Sequence, residues 1–171
     1  MNSIFTRRSI RNFLDKEVEQ EKIEKILRVG MQAPSAWNFM PWEFIVVRDK
    51  DILNKISKMS PYAIPAANSN VSIIALANTK LVEKDNLWFQ QDLAACIENM
   101  LLQATEENLG SVWLGFHPEK NRVNLIKEFF ELPEHIIPFA VVALGYSNSK
   151  NIFVDKFDSS KISYEKYLKK Y

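Results

Sequence analysis

Residues 71–78, VSIIALAN, carry apolar side chains at successive positions, with Ser72 the sole polar interruption before Asn78. A strand with one wet face alternates apolar and polar residues. This run does not alternate, so it reads as a strand buried on both faces. Helical and extended patterns flank it. Val18, Ile23, Ile26, Leu27, Gly30 and Met31 recur at near-helical spacing and predict an amphipathic helix over residues 18–31. EFIVVRD (43–49) predicts a short strand, and DKDILNKISKM (49–59) a helix capped by Asp49 or Asp51. Pro61 and Pro65 interrupt the stretch that follows. SVWLGF (111–116) reads as a strand or extended loop, and Pro118 as the opening of a helix that runs through Phe130. IIPFAVVALGY (136–146) is the last strand signal, and Ile152 to Phe157 reads as an extended tail.

The longest helical pattern runs from about Leu87 to Leu109, with Gly110 just past its end. Asp92, Glu98, Asn99, Gln103 and Glu106 make a narrow polar stripe, while Leu93, Ile97, Met100, Leu101, Leu102 and Ala104 cover most of the circumference. Burial against a second copy of the chain explains so enclosed a helix, and so does a central place within one subunit. The 171 residues suit one domain, 1–171, able to bury roughly 70% of its unfolded surface, with no repeat or linker to divide it.

Charge is unevenly placed. TRRSIRNF (6–13) holds Arg7, Arg8 and Arg11 with no acid in the first 14 residues, yet the net charge of the chain is +1. A nucleic-acid binder spreads its basic residues along a face or reaches a high isoelectric point, and a value near 7.8 argues against that class. One small anion matches the cluster better, the competing account being a solvated basic helix. No apolar run approaches the roughly 18 residues that span a bilayer, and the start lacks a signal peptide's apolar core, so the expected location is the cytoplasm, with no membrane partner. Cys96 is the single cysteine, and with His117 and His135 the only histidines, no metal site is expected. Cys96 reads as inert packing, and His117 as a surface histidine.

Glycine loops are the usual backbone solution for phosphate, but neither G-x-G-x-x-G nor G-x-x-x-x-G-K-[ST] occurs among Gly30, Gly110, Gly115 and Gly145. A phosphate must then be gripped by side chains, and guanidinium does so bidentately. APSAWNFMPW (33–42) is a second cluster: two prolines hold non-helical geometry while Ser35 and Asn38 offer polar groups between Trp37 and Trp42. It suits a planar heteroaromatic ring, the alternative being a connector whose tryptophans fill the core.

RRSIRNF, APSAWNFMPWEFIVV, NLGSVWLGF and VVALGY, in that order along nearly the whole chain, resemble the nitroreductase family of FMN-dependent oxidoreductases. The resemblance implies an α+β fold, a central mostly antiparallel sheet between helices in three α/β/α layers, in a homodimer with FMN at the subunit interface. It implies phosphate contacts from Arg7, Arg8 and Ser9, and a cation, Arg11, near the flavin N1/C2 carbonyl, where it favours reduced flavin. Pro34, Ser35, Ala36 and Asn38 match the segment that reaches the flavin from the other subunit, and Leu114 and Gly115 the stretch whose backbone lies against N5 and O4. Lys156 stands where relatives often carry an arginine that closes on the phosphate, and Met40 where many carry glutamine. Asn68 and Asn70 are left unassigned, and Trp113, Phe116 and Phe39 are pocket-wall candidates with core packing as the competing account. Hydride would pass from NADH or NADPH through the flavin to a small acceptor of nitroaromatic or quinone type in a ping-pong cycle. No side chain is then required as a catalytic group. A flavin-binding storage or redox-sensing protein is the alternative function. No ribose-phosphate reader for the nicotinamide cofactor is recognisable.

Overall fold

The computed structural model describes residues 3–82 and 88–169. Helix α1 covers Ser3–Thr6 and α2 Gln20–Gly30; strand β1, Trp42–Val47, leads to α3, Lys50–Ser57, and the short α4, Ile64–Asn68. Strand β2 is Val71–Asn78, α5 Phe89–Glu106, β3 Gly110–Gly115, α6 Lys120–Phe129 and β4 Ile136–Gly145. Leu87, the expected start of the long helix, lies outside the described residues. Beyond β4 the chain is extended to a single 3-10 turn at Ser159–Lys161.

The strands form one antiparallel sheet in the order β1-β2-β4-β3. Central placement explains the unbroken apolar run of β2: Val71, Ile73, Ala75 and Ala77 face α2 and α5, while Ile74 and Leu76 face α3, α4 and α6. The result is three layers, α/β/α. Pro138, inside the other central strand, sits where the β2–β4 register slips between Ala75 and Leu76. Proline has no N–H to give a ladder, so an irregular position suits it. The slip leaves Phe139 unpaired in the ladder, and its carbonyl accepts from the amides of Phe116 (3.2 Å) and His117 (2.9 Å), which anchors the chain just beyond β3.

Several boundaries differ from the sequence reading. Asp49, not Asp51, caps α3, its Oδ1 accepting from the Ile52 amide at 2.9 Å. The long helix ends at Glu106, and its left-handed terminal residue is Asn108 (φ 58°), a side chain that tolerates that region. Gly110 instead begins β3, where a Cβ would lie 2.6 Å from Ile10 Cγ2. Helix α6 begins at Lys120 rather than at Pro118, because Glu119 is still extended.

Helix α5 buries Phe89, Leu93, Cys96, Ile97, Met100, Leu101 and Ala104 against α2 and the sheet, so packing within one chain accounts for most of its apolar girth. Burial pushes the Cys96 thiol up to about 12. The thiol therefore stays protonated and unreactive. Helices α2 and α5 touch at Gly30, where an added Cβ would meet Met100 Cγ at 2.6 Å and Cys96 Sγ at 3.2 Å. Gly30→Val is expected to destabilise the protein by about 1–3 kcal/mol, the usual cost of overpacking. A urea denaturation midpoint shift with unchanged slope would measure it.

Candidate functional site

Strand β3 is an edge strand, and its outer side is only partly covered. Ser9 pairs with Ser111 in a parallel bridge, and the Ile10 amide donates to the Ser111 carbonyl at 2.9 Å. Backbone groups alternate along a strand, so those of Trp113 and Gly115 turn to the same outer edge as the Ser111 carbonyl. Here a cleft of about 520 Å³ opens, floored by Val112–Gly115. Arg11 and Asn12, then Tyr62, Ile64 and Asn68 from α4 and the turn before it, and Arg122 of α6 complete its lining. Gly115 has no atom within 4 Å of where a Cβ would stand, and its φ is not positive. Nothing in the chain's own packing requires glycine there, so the bare Cα leaves space for something else.

Of the resembling residues, Arg11, Leu114 and Gly115 line this cleft. The Leu114 side chain is buried in the layer of α3, α4 and α6, and by the same alternation its backbone groups turn toward β4. Arg11 Nη1 donates to the Ser9 carbonyl at 3.3 Å. Arg7 and Arg8 are held elsewhere: Arg7 Nε lies 3.5 Å from Glu98 Oε1 on α5, and the Arg8 guanidinium donates to the carbonyls of Arg7 and Phe5. Ser9 is exposed beside its bridge. The tail is laid along α1, with the Val154 amide on the Phe5 carbonyl at 3.0 Å, Phe5 and Phe153 rings stacked at 5.2 Å, and Asn151 Oδ1 accepting from the Arg8 amide at 3.0 Å. Lys156 follows two residues later and is exposed.

Pro34, Ser35 and Ala36 line a different hollow, of about 360 Å³, with Gln91, Asp92 and Ala95 of α5. Two side-chain hydrogen bonds brace the loop, beside backbone bonds from the Asn38 amide to the Ser35 carbonyl and the Phe39 amide to the Ala36 carbonyl, each at 3.0 Å. Asp92 Oδ1 accepts from the Ala36 amide and Ser35 Oγ from the Met40 amide, each at 2.9 Å. Between them Trp37, Asn38 and Met40 take positive φ of 48°, 58° and 49°. For Trp and Met that region costs of order 1–3 kcal/mol each. Trp37 is nonetheless 67% exposed and Met40 48%. Asp92 is buried, and its Oδ2 has no partner among the described residues.

Sequence reasoning missed Tyr62, Ile64 and Arg122, and no local signal marks them, since they meet the cleft only through the packing of α4 and α6. Asn68, unassigned from sequence, lines the cleft, whereas Asn70 Oδ1 is buried against the position a Gly145 Cβ would take. Trp113 is in the cleft wall, but Phe116 is core at 1% exposure and Phe39 lies tilted against Trp37, ring centroids 5.9 Å apart. His117 is not a free surface residue. It is half-buried between Phe89 and Phe139, 5.5 and 5.9 Å away, and burial lowers its pKa. Among the described residues no His/Cys/Asp/Glu group could hold a metal ion, and no helix is long and apolar enough to cross a membrane.

The family model "Nitroreductase family" matches residues 4–70 and 66–146. A protein of Archaeoglobus fulgidus named "Putative NADH dehydrogenase/NAD(P)H nitroreductase" is 40% identical over 98% of both chains. Among solved structures, a "Putative NADH Oxidase" from Clostridium acetobutylicum is 48% identical with a TM-score of 0.93, covering 96% of this chain and 99% of that one. An "FMN-dependent Nitroreductase" from Clostridium difficile is 27% identical with a TM-score of 0.89, covering 97% and 99%.

The role of Asp92 in the loop is directly measurable. Asp92→Ala is expected to speed hydrogen exchange at the Ala36 amide roughly 5- to 10-fold, consistent with loss of one hydrogen bond of about 1 kcal/mol, while Asp92→Asn, which keeps an acceptor, stays near wild type.

Proposed function

Because this chain belongs to the nitroreductase family and is an FMN-dependent NAD(P)H oxidoreductase, we propose that the cleft along the open edge of β3 is where it holds the flavin ring. The observation that carries this is Gly115: a glycine with empty space over its Cα, on an uncovered strand edge, beside Arg11. A planar ring with hydrogen-bonding edges needs such a setting, a flat approach to backbone amides without an intervening side chain. The donor set fits as well. Arg11 remains charged at every physiological pH and favours the reduced, anionic cofactor.

When bound, FMN would supply the two-electron chemistry that links NADH or NADPH to a small organic acceptor of nitroaromatic or quinone type, the two substrates using one face in turn. The protein's part is to hold and to exclude. The outer-edge backbone of Trp113 and Gly115 orients the ring edge, and Arg11 offsets its charge. No described side chain is needed as proton donor or nucleophile, and buried Cys96 and packed His117 are unsuited to either role. Arg7, Arg8, Ser9 and Lys156 are the phosphate side of this reading. Arg7 and Arg8 would then exchange their present partners, Glu98 and backbone carbonyls, for phosphate oxygens.

Pro34, Ser35, Ala36 and Asn38 complete the site from a second copy of the chain. What supports this is the position of Pro34, Ser35 and Ala36 in a hollow of their own, apart from the Arg11 cleft of the same chain, beside an exposed Asn38 and Trp37 held at positive φ.

An absorbance spectrum of purified protein is expected to show a flavin band that bleaches on anaerobic addition of NADH or NADPH. Protein that is colourless and takes up no added FMN overturns the reading. Arg11→Ala is expected to weaken FMN binding roughly 10- to 100-fold, and Gly115→Val to abolish it, both with unchanged melting of the apo-protein, while Arg28→Ala leaves binding alone. Co-expressing Arg11→Ala chains with Asn38→Ala chains tests the shared site: mixed dimers regain one intact site of two, whereas sites built within one chain stay defective in both.

A further inference from the structure

The cleft contains two arginines and no carboxylate among its described lining residues. Arg11 belongs to the strip that borders β3. Arg122 comes from the first turn of α6, and its guanidinium carbon lies 5.3 Å from the centroid of the Tyr62 ring. Among the described residues it has no acidic group within ion-pair distance. Tyr62 itself is 70% exposed and Ile64 63%. Exposed apolar groups at a cleft mouth, with an arginine resting on one of them, form a surface that nothing in the chain itself uses.

The ring matters for what the arginine can do. At 5.3 Å the guanidinium is within cation–π range of Tyr62, a contact that restrains it without occupying its N–H groups, the part that engages an oxyanion bidentately. The first turn of α6 adds to this. It carries Lys120 and Arg122 and no acid, the reverse of the charge preference at a helix start, so the local potential stays positive despite the neighbouring Glu119.

We propose that Arg122, held by Tyr62, reads the anionic group of the molecules that exchange electrons at this cleft: a phosphate of the nicotinamide dinucleotide or a carboxylate on the acceptor. This rests on the cleft being the flavin site. Tyr62 is then the positioning residue and Arg122 the group that touches substrate.

The test compares matched charged and neutral substrates on FMN-loaded enzyme. The donors are NADH, NADPH and 1-benzyl-1,4-dihydronicotinamide, which lacks phosphate; the acceptors are 4-nitrobenzoate and its neutral amide. In Arg122→Ala at least one charged-to-neutral ratio of kcat/KM is expected to fall ~10-fold or more, through KM rather than kcat. A change in the donor ratio identifies the dinucleotide phosphates, and a change in the acceptor ratio the carboxylate. Arg122→Lys should recover part of the loss, Tyr62→Ala reproduce part of it, and Arg28→Ala, on α2, do neither. Calorimetric titration of NADP+ and of 4-nitrobenzoate into wild type and Arg122→Ala gives a readout without turnover and is expected to show the same weakening. Both ratios staying within about twofold of wild type would overturn the proposal. So would loss of FMN from Arg122→Ala, which assigns the arginine to the cofactor. If wild-type protein takes up no FMN, the flavin reading fails by itself, and the calorimetric comparison still decides whether Arg122 binds an oxyanion.

Discussion

The hydrogen bond from the Ile10 amide to the Ser111 carbonyl decides where the sheet is closed and where it stays open. An edge strand offers a row of unpaired donors and acceptors, and proteins must cover or use them. Here a short N-terminal strip covers the first part of β3, with Ile10 so close that only glycine fits at position 110. The strip then leaves the edge, and Arg11, the next residue, reaches the cleft in front of Trp113 and Gly115. One edge is thus covered along its first half and open to a cleft along its second.

That strip must be rigid for Arg11 to be placed, and it is braced just beyond. The Leu14 amide donates to the Tyr146 carbonyl at 2.7 Å, and Ser147 Oγ donates to the Asn12 carbonyl at 2.6 Å. The Tyr146 hydroxyl sits between Glu19 and Lys22, and Lys22 reaches the Glu107 carbonyl at the end of α5. The end of β4, the start of α2 and the end of α5 therefore meet at one tyrosine. On the other side of the molecule, the loop around Trp37 spends backbone strain to expose an aromatic ring and an amide, and Asp92 with Ser35 offsets part of that cost.

Local patterns were informative where the physics is local. The doubly buried β2, the amphipathic α2 and α3, and strands β1, β3 and β4 were legible because side-chain periodicity reports burial directly. The short α1 and α4 were not, since too few residues repeat to show a period. The end of α5 was misplaced because glycine is the common left-handed residue and Asn108 took that role; Gly110 was kept free of a side chain by Ile10, a contact across most of the chain. The family resemblance pointed to Arg11, Leu114 and Gly115, and the fold brings these three together. It also pointed to Arg7, Arg8 and Lys156, which the fold directs toward Glu98, the α1 carbonyls and the exposed tail.

By itself the sequence determined the strands and the longer helices, the absence of a glycine phosphate loop and the family, because each is written in consecutive residues or in their order. Tertiary structure alone decided which edge of the sheet stays uncovered, that Tyr62 and Arg122 share a cleft with Arg11, and that Pro34 to Ala36 do not. Those outcomes depend on how helices on opposite faces of the sheet pack against strands distant in sequence, and no run of neighbouring residues carries that information.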